Sequence, residues 1–326
     1  MVYKYIQMKI DFLQQLCNAH STSTKEDEVF CLMKQCFERN NWDVECNKHY
    51  IIASKHLSKD LPTILFTAHA DSPGWKITNQ IASVDNDDNL VYNISSIGCI
   101  SSYIDAEVII KTNAKKIEGK ISKRNFIIKK KDAAGININT GDRICFKPKF
   151  LLNENLLEAT FLDNRIGCFL LSMLAEDCDN WALQYNVILA VTSSEETGCF
   201  GANNLAENVN ADFVIVLDVT YEEKNVRLGN GSVLTLRDDG IQLDDKFAEK
   251  MIHLFSKNEI KIQTEITHGY TETVSFAELS TCKNIISLLI AQRNNHSNKE
   301  QIDVRDIDSY LEAIKVLCCT KLPLAE

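Results

Sequence analysis

Residues 63–71 read Thr-Ile-Leu-Phe-Thr-Ala-His-Ala-Asp. Thr63 to Ala68 is short and apolar and gives way at once to polar residues, which predicts a buried strand ending in a loop. His69 and Asp71 follow that strand directly, and open α/β sheets bind ligands outside the carboxyl ends of their strands. Three further apolar runs repeat the arrangement. Asn186 to Thr192 leads into Glu195 and Glu196, Phe213 to Asp218 ends on an aspartate, and Ile285 to Ile290 is followed shortly by His296.

Helical spacing surrounds these runs. Residues 8–19 place Met8, Phe12, Leu16 and Ala19 on one face, and residues 26–40 do the same with Val29, Leu32, Met33, Cys36 and Phe37. Segments at 43–53 look strand-like. Ile166 to Ala175 is apolar enough for a buried helix. Glu196 to Asn208, Lys246 to Asn258 and Asp303 to Cys319 predict three more. Between residues 73 and 156 the character changes to short β-rich runs with turn clusters at Asp85 to Asn89, Thr112-Asn113 and Asn137 to Asp142, without a helical pattern. The expectation is an α/β domain over residues 1–72 and 157–326, carrying a compact β-barrel or sandwich over 73–156.

The composition limits the function. The 326 residues are 45% hydrophobic and 25% charged, which is a globular mix. The net charge of −10 argues against nucleic acid as a partner. Twelve cysteines form no Cys-x-x-Cys pair, the N-terminus has no secretory apolar region, and the uncharged stretch Asn180 to Ser194 is too short for a bilayer. A cytoplasmic protein with reduced thiols and no membrane contact is expected.

Each strand-exit group has a plain alternative reading. His69 and Asp71 read as a metal ligand with its orienting carboxylate, or as a polar surface loop. Asp163, in Asp-Asn-Arg, reads as a turn and helix cap or as a carboxylate shared between two ions. Glu195-Glu196 reads as a solvated helix start or as a ligand beside a proton carrier. Asp218 is poorly placed as a solvated residue. Only His69 and His296 of the seven histidines have strand-exit placement. With Asp71 set aside as the orienting carboxylate, these groups supply two histidines, two aspartates and two glutamates, the inventory of a hydrolytic site with two metal ions. Nitrogen and oxygen donors without thiolate suit zinc, cobalt or manganese.

The pieces AHADSPGWKI, FLDNRIGC, SSEETGCFGA, VLDVT, RLGNG and NHSNKEQIDVRDIDSYLEAIKVL, in this order, resemble the cocatalytic aminopeptidases of metallopeptidase family forty-two. This is the glutamyl or tetrahedral (TET) aminopeptidase family. The resemblance implies a mixed sheet flanked by helices, with an inserted all-β barrel that helps assemble dimers into tetrahedral dodecamers. It implies two divalent ions (Zn, Co or Mn), with His69 and Asp218 on one, Glu196 and His296 on the other, and Asp163 between them. Glu195 would be the general base and Asp71 would orient His69. Peptides with a free N-terminus would be the substrates. Asn164, Glu272 and Asn295 depart from the family pattern and are expected around the substrate, Glu272 as a binding residue. A related two-metal deacylase or carboxypeptidase, and a catalytically dead peptide-binding shell subunit, are the alternative readings.

Overall fold

The computed structural model describes residues 2–79, 83–84, 88–100, 104–113 and 115–325. Eight strands form one sheet in the order Asp43–Cys46, Tyr50–Lys55, Asn186–Thr192, Thr63–His69, Phe213–Tyr221, Ile285–Gln292, Ser232–Arg237 and Ile262–Ile266. The four middle strands, from Asn186–Thr192 to Ile285–Gln292, run parallel, so all four carboxyl ends lie on one edge. Antiparallel pairing flanks that set on both sides.

The middle strands are apolar because both faces are covered. Successive side chains point to opposite faces. Ile64, Phe66 and Ala68 join the larger core beneath the helices Val2–Asn18, Asp27–Arg39, Leu162–Asp177 and Val304–Cys319, whereas Leu65 joins the smaller core under Phe200–Asn208 and Thr273–Leu279. Val187, Leu189 and Val191 separate from Ile188 and Ala190 in the same way. Leu162–Asp177 is buried along nearly its whole length, and each fully buried side chain such as Phe169 contributes roughly 1.5–3 kcal/mol.

A second sheet closes on itself. Its order is Gly74–Ile77, Arg143–Phe146, Ala106–Lys111, Lys116–Ser122, Asn125–Lys129 and Asn89–Ile97, which pairs back to Gly74–Ile77. The result is a six-stranded antiparallel barrel with Ser83–Val84 attached at Asn89–Ile97. Trp75, Val108, Ile110, Phe126, Ile128 and Phe146 fill it, with the Trp75 and Phe146 rings edge to face at 5.1 Å. Gly119 lets the strands close over Phe126: a Cβ there would lie 2.4 Å from the ring. Among the described residues between Gly74 and Ala159 no helix forms. A three-stranded sheet of Phe150–Asn153, Leu156–Ala159 and Glu300–Asp303 stands apart from the barrel.

Several expected boundaries move. The helix expected from Glu196 begins at Phe200, and Glu195–Thr197 forms a separate 3-10 turn. The chain reverses there through Ser194 and Cys199 at positive φ, with Gly198 at +121°, which a continuous helix does not permit. The helix expected from Ile166 becomes regular just after Asp163 and Asn164, which are non-helical and joined by a cis peptide, so the turn beginning at Leu162 is kinked away from it. Asp85, Asn86 and Asp87 of the expected turn cluster lie outside the described residues. No helix among the described residues is long and apolar enough to cross a membrane.

Candidate metal centre

His69 ends its strand with its ring buried. Nδ1 faces Asp71, 3.2 Å from the backbone carbonyl and 3.4 Å from Oδ1. Nε2 faces Asp163 Oδ1 at 3.3 Å, Asp218 Oδ1 at 3.6 Å and Glu195 Oε2 at 3.9 Å. Burial opposes a charged ring, but Asp218, Asp163 and Asp71 outweigh it and hold the His69 pKa well above its ordinary value.

Asp71 does more than back the histidine. Its Oδ1 accepts the Glu195 N–H at 2.9 Å, and its Oδ2 accepts the Glu196 N–H at 3.2 Å and the Ser23 hydroxyl at 2.6 Å. One buried carboxylate thereby fixes both the ring and the turn carrying the two glutamates. Gly201 allows that turn to close: a Cβ there would stand 2.4 Å from the Ser193 nitrogen. Arg165 supports the loop that carries Asp71, donating to the Ala70 carbonyl at 2.6 Å.

Asp163 lies between the two histidines. Its Oδ1 faces His69, and its Oδ2 is 3.3 Å from His296 Nε2. Burial works against its charge, yet the contacts with His296 and then His69 hold its carboxyl below the usual range. His296 Nε2 is also 3.5 Å from Glu196 Oε2, and its Nδ1 is 3.2 Å from the carbonyl of Cys99, contributed by the segment that follows a barrel strand. Asp218 is held from its backbone, whose N–H donates to the Tyr310 hydroxyl at 3.2 Å.

Two groups of donors result: His69 with Asp163 and Asp218, and Asp163 with Glu196 and His296. Within each group the ligand atoms lie within 4.8 Å of one another. Burial, then neighbouring carboxylates, push Glu195 and Glu196 well above the ordinary carboxyl range. Glu196 Oε1 is buried with no hydrogen-bond partner among the described residues. Massed carboxylates with an orphaned oxygen are what a bound cation would satisfy, so the donor set fits divalent metal.

The groups floor a cleft of about 310 Å³ whose far wall includes Tyr221, Tyr270 and Asn295. A side cavity of about 80 Å³ shares part of that wall and adds Thr235, Asp238 and Glu265. Neither Asp238 nor Glu265 is ion-paired among the described residues. Burial raises both carboxyls above their ordinary values.

Two expectations about substrate contacts differ from the structure. Glu272 is fully buried behind the cleft wall, where its carboxyl accepts the Thr67 hydroxyl at 2.9 Å and the Thr192 hydroxyl. Burial pushes its pKa up to about 7. Asn164 is also fully buried, tying the Leu217 carbonyl to the Gly167 N–H. Both serve as polar ties between elements: Glu272, just before the helix Thr273–Leu279, and Asn164, in the bend at the start of Leu162–Asp177, are buried against the strands and line no part of the cleft. Glu300, Arg165, Ser23 and the Cys99 carbonyl carry no sequence signal of a role here. Each acts through backbone groups or through a residue distant in the chain.

The family model described as M42 glutamyl aminopeptidase matches residues 125–312, more than half of the chain. The chain belongs to this family. A relative over most of its length is the putative aminopeptidase FrvX of Escherichia coli K12, 23% identical over 94% of each chain. Among solved structures, an aminopeptidase from the archaeon Desulfurococcus kamchatkensis superposes with a TM-score of 0.87 at 20% identity, over 98% of this chain and 96% of that one. The TET1 peptidase of Pyrococcus horikoshii, described as assembling into a tetrahedron or a large octahedral shell, superposes at 0.82 with 22% identity, over 96% and 99%. The M42 chain described here is therefore a metal-dependent aminopeptidase, a peptide hydrolase with the mixed α/β fold and barrel of its relatives.

Proposed function

We propose that this M42 aminopeptidase works with two divalent cations, zinc, cobalt or manganese. His69 and Asp218 would hold one, Glu196 and His296 the other, and Asp163 both. The observation that carries this reading is that the two oxygens of Asp163 face two different histidines. Bound there, such cations polarise a scissile carbonyl and acidify a water. Glu195 takes the proton of the attacking water and delivers it to the leaving amine; its carboxyl lies 3.9 Å from His69 beside both donor groups without belonging to either, which leaves it free for proton transfer. Asp71 keeps His69 in one ring orientation. The acidic floor receives the free α-amine of the peptide. A carboxypeptidase or deacylase would instead need a cation to anchor a carboxylate, and among the described residues the cleft lining includes no lysine or arginine.

The family is described by a glutamyl preference, but the side cavity carries Asp238 and Glu265. An acidic N-terminal side chain would meet like charge there, so a basic or neutral one is favoured over glutamate. We also read residues 1–72 and 157–326 as the catalytic domain and 73–156 as an insert that mediates self-association in a cytoplasmic oligomer, the dodecamer of the TET relatives being the expected form. The test is mass spectrometry of a peptide pool incubated with each metal in turn, with chelated controls and N-acetylated twins. Stepwise loss of N-terminal residues from free peptides alone is expected. Cleavage of the acetylated twins would overturn the aminopeptidase mechanism, and faster release of glutamate than lysine would overturn the side-cavity argument.

A further inference from the structure

Glu300 opens the strand Glu300–Asp303, is 2% exposed and does not line the cleft. Its two oxygens nevertheless reach both halves of the metal centre from behind. Oε2 accepts the backbone N–H of Asp163 at 3.1 Å, and Oε1 accepts the backbone N–H of His296 at 3.0 Å. Asp163 is the carboxylate that faces both histidines, and His296 belongs to the second donor group. Both ligands leave their elements on irregular backbone. His296 has a φ of +58°, and Phe161, two residues before Asp163, has +68°. Regular sheet or helix pairing cannot hold such segments in place, so a buried acceptor with two arms is the natural anchor.

We propose that Glu300 is a positioning residue: by clamping the backbones of Asp163 and His296 to one carboxyl group, it sets the affinity of the Asp163, Glu196 and His296 group for its cation. The inference rests on the two-cation reading above. Hydrogen bonds to a carboxylate from backbone N–H groups are among the stronger ones, and partners that orient metal ligands typically change affinity about 10–100-fold when removed. The chemistry of the clamp needs two acceptors. Glutamine offers one, and its amide NH₂ would meet an N–H donor on the other side. Glu300→Gln keeps size and shape while cutting one arm; Glu300→Ala cuts both.

The experiment is calorimetric titration of the full, metal-stripped chain with Co²⁺, read in parallel by the visible absorption of bound cobalt. The parent is expected to show two binding events. Glu300→Gln should weaken one of them about 10–100-fold and the other, which shares only Asp163 with the clamp, by a clearly smaller factor, with loss of one component of the cobalt spectrum at low loading. Glu300→Ala should weaken that event at least as far. Two unchanged events in both variants would overturn the clamp. So would equal weakening of both events, which is the signature of a general loss of structure. Fewer than two events in the parent would overturn the two-cation reading, and the proposal with it.

Discussion

Glu195 and His296 differ in what their loss should do. Glu195 faces His69 across the cleft at 3.9 Å without belonging to either donor group. Glu195→Gln is expected to lower kcat by about two to four orders of magnitude while metal content stays at the parental level by elemental analysis. Unchanged turnover would remove Glu195 from proton transfer. His296→Ala deletes one of three donors of its group and should cost one bound ion, with the His69 group still occupied. Glu272 makes a different prediction, on stability. Its folded pKa of about 7 lies above the ordinary 4.5. Between those values the folded chain binds more protons than the unfolded one, so this group's contribution falls as pH rises through the window and is flat above it. Glu272→Gln keeps an acceptor and a donor for Thr67 and Thr192 without the charge. In urea unfolding of metal-stripped protein it should match the parent near pH 4 and exceed it by about 2–3 kcal/mol at pH 8. Equal stability at both values would show that Glu272 does not titrate there.

The turn between Thr192 and Phe200 matters more than its length suggests. It holds Glu195 and Glu196 by their backbone N–H groups to Asp71, and it closes because Gly201 approaches the Ser193 backbone. Gly201→Ala would have to open that approach. Overpacking of this kind costs roughly 1–3 kcal/mol, and here the displacement falls on Glu195, the proposed proton carrier. The expected result is a lowered Tm together with a fall in kcat larger than any change in KM. A lowered Tm with unchanged kcat would separate the turn's packing from catalysis. The helix Phe200–Asn208 is also where periodicity misleads. Glu196 to Asn208 reads as one helix, because the reversal at Gly198 and Cys199 depends on positive φ angles that no apolar spacing reveals. The strands were easier to read. Thr63–His69 and Phe213–Tyr221 are buried on both faces and so are apolar at nearly every position; His69 stands out at the end of the first, and Asp218, expected to end the second, stands out inside it, because pairing carries that strand on to Tyr221.

The two sheets meet at the metal centre through the Cys99 carbonyl, so the barrel is tied to the cleft as well as covering its own core. Metal should therefore stabilise more than its ligands. A chelator is expected to abolish peptide hydrolysis and lower Tm, and added Zn²⁺ should restore both, by roughly 2.7 kcal/mol at a hundredfold excess over Kd. An unchanged Tm would mean that the folded chain does not take up the ion in preference to the unfolded one. Light scattering of the intact protein addresses the insert: an assembly well above one chain is expected, and a strict monomer would end the self-association reading.

Local pattern was enough to reveal the alternation of strands and helices, the change of character across residues 73–156, and the His, Asp and Glu residues at the strand exits. These follow from burial and periodicity, which each stretch carries within itself. Other features appear only once distant segments are folded together. They include which nitrogen of His69 and His296 faces which carboxylate, the inward turn of Glu272 and Asn164, and the grip of Glu300 on two backbones. The physical reason is that a hydrogen bond or a metal ligand is defined by distance and direction within tenths of an ångström. Those depend on the mutual placement of residues far apart in the chain, here 137 positions between Asp163 and Glu300, and no local spacing encodes them.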